Sequence, residues 1–194
     1  MAGASSPATS PPRRRAVFVD RDGTINPDFH YLNDARRLEV FRGVANALRL
    51  LRAHGFLVLC VTNQSGIERG FYTEEDVQRI HHRLNEILAR GHTHVDGFYY
   101  CPHAPETGCA CRKPGTELFL RAQREWHLDF TGSAIIGDRA LDVEAGERLG
   151  LLTAVVPPPG HAEELEVELR HHHVVPDLRA RSFLSATTRI LAIG

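Results

Sequence analysis

One pattern constrains this chain more than any other: short, unbroken apolar runs alternate with helix-length segments. The runs are "AVFVD" (16–20), "FLVLCVT" (56–62), "VDGFYY" (95–100), "SAIIGD" (133–138) and "LLTAVV" (151–156). Strands buried on both faces read as continuous apolar runs, and strands with one wet face alternate. Between the runs, Val44, Ala47, Leu48 and Leu51 follow helical spacing over residues 43–54, and Gly55 is placed to end that helix. Thr73 is an N-cap followed by Glu74, Glu75 and Asp76, acids at the positive end of the dipole. The stripe of that helix is Val77, Ile80, Leu84, Ile87 and Leu88. Further helices are predicted from about Pro114 to Trp126, over 141–149 and 163–170, and from about Ser185, with a sixth strand at "HVVPDL". The alternation predicts an α/β fold, a Rossmann-like three-layer sandwich around a central parallel sheet.

A chain of 194 residues suits one domain with a full core. Residues 1–14 are small, polar and proline-rich, which predicts a disordered tail before a single domain spanning 15–194. That tail lacks the apolar middle of a secretory signal, so the expected location is cytoplasmic and the expected state of the cysteines is reduced. A net charge of −1 gives no support to a nucleic-acid or anionic-membrane partner. No apolar run approaches the roughly 18 residues of a membrane span.

Ligands of open parallel sheets bind beyond the carboxyl ends of the strands. Four segments carry polar residues there: "DRDGTIN" (20–26), "TNQSG" (62–66), "CRKP" (111–114) and "GDRALD" (137–142). The predicted topology brings Asp20, Asp22, Thr62, Lys113, Asp138 and Asp142 to one crevice. Clustered carboxylates raise each other's pKa, and a hard divalent cation relieves them. Carboxylates, a metal and a lysine together point to phosphoryl transfer through an aspartyl-phosphate.

Those four segments, in order, resemble the motifs of the haloacid dehalogenase superfamily of phosphatases across about residues 16–156. The resemblance implies Asp20 as nucleophile and Asp22 as acid and then base. It implies Mg2+ on Asp20, the Asp22 backbone carbonyl and Asp138, with Asp142 supporting the site from behind. Thr62 and Lys113 would stabilise the transferring phosphoryl group. The gaps between motifs leave no room for a large cap domain, so the site is expected to be open.

Cys101, His103, Cys109 and Cys111 offer four soft ligands, which suits a structural, tetrahedral zinc. Their loop runs directly into "RKP" and resembles one subgroup, the D-glycero-D-manno-heptose 1,7-bisphosphate 7-phosphatases together with the histidinol-phosphate phosphatases. "DRDGTINPDFHYL" and "TNQSGIERGFYTEED" resemble the heptose enzymes, whereas the short 103–109 spacer and "IGDRA" resemble the histidinol-phosphate enzymes. The heptose resemblance implies substrate contacts from Arg21, Asp28, His30, Tyr31, Thr62, Asn63, Gln64, Ser65, Arg112 and Lys113. The substrate is then a small phosphorylated sugar, with a phosphorylated amino alcohol as the alternative. A zinc-stapled binding module without activity is the reading from another class, and the intact Asp20, Asp22, Lys113 and Asp138 set argues against it.

Other residues are read as structural. Cys60 and Trp126 belong to core stripes. His81 and His82 are adjacent on a helix and point different ways. His92, His94 and His171–His173 are read without a role.

Overall fold

The computed structural model describes residues 13–193. Residues 1–12, most of the expected tail, lie outside the described residues. Arg14, placed in that tail by the sequence reading, pairs with Leu128 through backbone bonds to His127 and Asp129.

Six parallel strands form one sheet in the order β3-β2-β1-β4-β5-β6. They are β1 (Ala16–Val19), β2 (Leu57–Asn63), β3 (Gly97–Cys101), β4 (Ala134–Gly137), β5 (Leu152–Val155) and β6 (Leu178–Arg179). The helices are α1 (Val44–Ala53), α2 (Glu74–Ala89), α3 (Glu117–Trp126), α4 (Ala140–Leu149), α5 (Ala162–His171) and α6 (Phe183–Ile193). Side chains alternate across the sheet, as the two-residue period of a strand requires. Val17, Val19, Val58 and Cys60 join one core with α1, α2 and α6. Ala16, Phe18, Leu57, Leu59 and Val61 join the other with α3. Both faces are therefore covered, which is why the strands show no polar alternation. Phe18 meets Phe119 edge to face at 5.0 Å, an arrangement worth about 0.5–1.5 kcal/mol beyond its burial.

Local signals hold where the sequence predicts them. The Thr73 hydroxyl accepts from the Asp76 N–H, and the Asp76 carboxylate accepts from the Thr73 N–H, a complete capping box. Two boundaries differ by more than two residues. β6 lies at Leu178–Arg179, at the end of "HVVPDL" rather than through it, because Asp177 turns back to bond Thr153. α3 begins at Glu117, since residues 112–115 form a turn in which the Gly115 N–H donates to Arg112 O.

The chain runs outward from β1 through β2 and β3, then crosses to β4, β5 and β6 on the other side. The reversal falls between β1 and β4, so their carboxyl ends open a crevice at Asp20 and Asp138. Among the described residues, only α1 and a short 3-10 turn (Ala35–Arg37) separate the first strand's loop from β2, and no cap covers the crevice.

Candidate active site

Asp20 follows β1, Thr62 and Asn63 end β2, and Asp138 follows β4. Lys113 reaches the crevice from the loop after β3. Asn63 holds its backbone on both sides, accepting from Lys113 N at 3.0 Å and donating to Lys113 O at 3.2 Å. The buried Lys113 ammonium donates to Val61 O at 2.8 Å and Asp142 Oδ1 at 2.6 Å, and lies 3.0 Å from Asp20 Oδ1. Burial alone would lower its pKa, but Asp142 and Asp20 outweigh that and hold it charged. Burial lifts the Asp20 carboxyl to about 6 against the pull of Lys113, with Asp142 and Asp22 adding to the rise. Burial also pushes Asp138 well up, helped by Asp20 and Asp142.

Carboxylate oxygens of Asp20, Asp138 and Asp142 lie within 4.8 Å of one another, a set that a divalent cation fits. Asp142 is already engaged, Oδ1 with Lys113 and Oδ2 with the Arg139 N–H. Asp20 Oδ1 accepts from the Arg21 N–H, and Asp138 Oδ1 from the Thr24 hydroxyl. Among the described residues, Oδ2 of Asp20, Oδ2 of Asp138 and the Asp22 carbonyl accept nothing. Gly23 closes this cradle: at φ +85°, a Cβ there would lie 2.1 Å from Asp138 Oδ2.

Asp22 sits in a separate network. The Arg21 guanidinium donates to both its oxygens, at 3.1 and 2.5 Å, and Asn26 and Gln64 donate at 2.9 Å. Burial favours the neutral acid, yet Arg21 and these amides outweigh it and keep Asp22 ionised. As it stands the group is a base, suited to activating water. Gln64 also donates to Thr62 Oγ1 at 2.9 Å and accepts from the Tyr72 hydroxyl at 2.8 Å.

A cavity of about 290 Å3 gathers Asp20, Asp22, Asp28, His30, Tyr31, Thr62, Asn63, Gln64, Ser65, Arg112, Lys113 and Asp138. The exception among the expected contacts is Arg21. Its side chain is 0% exposed and turned into the protein against Asp22 and Gln64, so it does not line the cavity. Leu32, Tyr72, Arg139 and Leu141 line it as well, none of them among the expected contacts. Arg139 had a legible signal: it follows a strand-end aspartate within a motif.

The thiol loop converges as expected. Sγ separations are 3.5 Å (Cys101–Cys109), 3.1 Å (Cys101–Cys111) and 3.3 Å (Cys109–Cys111), and His103 Nδ1 is 3.2 Å from Cys111 Sγ. None of the cysteines is disulfide-bonded. A tetrahedral ion with metal–sulfur bonds of about 2.3 Å sets sulfurs about 3.8 Å apart, so the three thiols need only spread slightly to take one. Cys60 is buried core, and Trp126 packs against its cluster while donating to the Tyr99 hydroxyl at 2.9 Å. His81 stacks on Phe98 at 4.3 Å, and burial, then Arg21, pushes its pKa down to about 3.

An uncapped parallel sheet whose strand-end carboxylates meet a buried lysine defines a phosphatase of the haloacid dehalogenase type. Comparison with known proteins agrees and is more specific. Residues 110–180 match the HAD-hydrolase-like family model. A Rhodopseudomonas palustris protein named D-glycero-β-D-manno-heptose-1,7-bisphosphate 7-phosphatase is 41% identical over 150 residues, covering 73% of this chain and 83% of that protein. The protein of that name from Escherichia coli K12 is 37% identical over 160 residues, covering 79% and 84%. The crystal structure of the D,D-heptose 1,7-bisphosphate phosphatase from B. bronchiseptica, complexed with magnesium and phosphate, superposes with a TM-score of 0.81 at 26% identity, covering 93% and 99%. The chain belongs to the haloacid dehalogenase superfamily and, within it, to the group these heptose bisphosphate phosphatases form. It is a phosphoric monoester hydrolase. No described helix is long and apolar enough to cross a membrane.

Proposed function

We propose that this phosphatase removes the 7-phosphate from D-glycero-D-manno-heptose 1,7-bisphosphate. The observation that carries the substrate is the pairing, in one cavity, of a phosphoryl-handling set with two further arginines. Arg112 donates one guanidinium N–H to His103 O, and Arg139 donates its Nε–H to Glu168. A guanidinium has five N–H donors, so each keeps several for a second phosphate. Asp28, His30, Tyr31, Asn63 and Ser65 supply the polar lining that a polyol needs between two phosphates. A histidinol phosphate has one phosphate and a cationic amine, and two arginines do not favour the amine.

In this reading Asp20 attacks phosphorus, forming an acyl phosphate, and Asp22 gives a proton to the departing sugar oxygen. Asp22 then takes a proton from water, which attacks phosphorus and releases phosphate and free Asp20. The proton-giving half requires Asp22 to gain a proton and give up Arg21, whereas the water-activating half matches its present ionised state. Lys113 stabilises the oxygens of the transferring group, with Thr62 beside it. Asp20, the Asp22 carbonyl and Asp138 would hold Mg2+, which would supply neutralisation of the clustered charge and polarisation of a phosphoryl oxygen. Zinc fits Cys101, His103, Cys109 and Cys111 as a closed structural site.

The test compares kcat/KM for the α and β anomers of the heptose bisphosphate with kcat/KM for histidinol phosphate. A preference of at least about a hundredfold for one heptose anomer is expected, the discrimination a dedicated charged subsite supplies. Equal or better turnover of histidinol phosphate would overturn the assignment.

A further inference from the structure

The thiol loop and the loop after β2 are joined by contacts that the chemistry above does not use. Glu68 Oε2 accepts from the Ala104 N–H and, at 2.7 Å, from the Thr107 hydroxyl. The Glu68 N–H donates to Pro102 O at 3.2 Å, and Arg69 pairs with Glu106 at 3.2 Å. The Ala104 N–H belongs to the 103–104 peptide, and the carbonyl of that same peptide, His103 O, accepts from Arg112 Nη1 at 3.2 Å. One planar group therefore carries a carboxylate at its N–H end and a guanidinium at its C=O end. A charged acceptor on the N–H polarises the peptide and strengthens its carbonyl as an acceptor.

We propose that Glu68 is a positioning residue for Arg112, acting through the 103–104 peptide to aim the guanidinium at the substrate's second, non-reacting anionic group. The proposal rests on the bisphosphate reading for its substrate. Glu68 is exposed and does not line the cavity, and its bonds reach neither Asp20 nor Lys113. Its influence therefore falls on recognition and leaves the phosphoryl-transfer step alone.

The experiment uses the full, metal-loaded chain. Glu68→Ala is expected to raise KM for heptose 1,7-bisphosphate about tenfold with kcat within about twofold. Hydrolysis of p-nitrophenyl phosphate, which has no second phosphate, should not change. Glu68→Gln, whose carbonyl still accepts from Ala104, should recover most of the loss. Adding Glu68→Ala to Arg112→Ala should have no further effect. Equal damage to both substrates, or additive losses in the double variant, would overturn the proposal. A second readout is independent of turnover: 15N NMR of the Arg112 guanidinium should show slow rotation about Nε–Cζ in the native chain and fast rotation in Glu68→Ala. Identical rotation in both overturns the proposal even if the heptose assignment stands. The expected slowing in a chain that does not turn over the heptose bisphosphate supports the relay and overturns the substrate.

Discussion

Lys113 Nζ lies 3.0 Å from Asp20 Oδ1, and its other two donors are spent on Asp142 and Val61 O. An ammonium has three N–H donors, so all three rest on the protein before substrate arrives, and in the proposed reaction the one facing Asp20 would turn to an oxygen of the phosphoryl group that Asp20 attacks. Lys113→Met removes the charge and leaves Asp20, Asp138 and Asp142 uncompensated. Steady-state kinetics should show kcat down by about 10^2–10^3. Urea unfolding should show a loss of about 3–5 kcal/mol, the cost of orphaning buried charge. Activity within tenfold of native would contradict the role given to Lys113.

Gly23→Ala tests the cation cradle. The new methyl group would lie 2.1 Å from Asp138 Oδ2 at a backbone φ of +85°. Asp138 must move, so the Mg2+ concentration for half-maximal activity should rise at least about a hundredfold. The left-handed backbone itself should cost about 1–2 kcal/mol of stability. Titrations of activity and of Tm with Mg2+ measure the two effects separately.

His81→Phe tests the buried imidazole. Its folded pKa of about 3 lies below the ordinary 6.5, because burial, then Arg21, disfavours the cation, with Asp22 in partial opposition. Between those values the unfolded chain binds the proton and the folded chain does not, so stability falls as pH drops from 6.5 towards 3. The slope contributed approaches about 1.4 kcal/mol per pH unit. His81→Phe keeps the stack on Phe98 and removes that slope, as urea unfolding at pH 7, 6 and 5 should show. Parallel native and variant curves would contradict it.

Cys109→Ser tests the thiol loop. Native mass spectrometry of the parent should find about one zinc per chain, and the variant should lose it. Tm should fall, and KM should rise, because Cys101, His103, Cys109 and Cys111 bracket the segment that leads into Arg112 and Lys113. A parent chain without zinc and with full activity would contradict the scaffold role.

Much of this was legible in the sequence because the relevant signals are local and periodic. Unbroken runs such as "FLVLCVT" are strands covered on both faces, and strand ends locate the crevice whatever the loops do. What stayed illegible depends on side-chain direction. Arg21 and Arg139 each follow a strand-end aspartate, yet Arg21 turns inward to Asp22 while Arg139 lines the cavity. Tyr72 is distant in the motif from Gln64, and only the fold of the 64–72 loop brings its hydroxyl there. The two-residue β6 is too short for periodicity to place, and the Asp177–Thr153 bonds decide where it starts.

The central claim is that Asp20 is the nucleophile that accepts the phosphoryl group, and turnover by Asp20→Asn tests it most directly. The amide keeps the side chain's shape and removes its nucleophilicity, so kcat on the heptose bisphosphate should fall at least about a thousandfold, with the fold and zinc content unchanged. Retention of a tenth of the native rate would contradict the account.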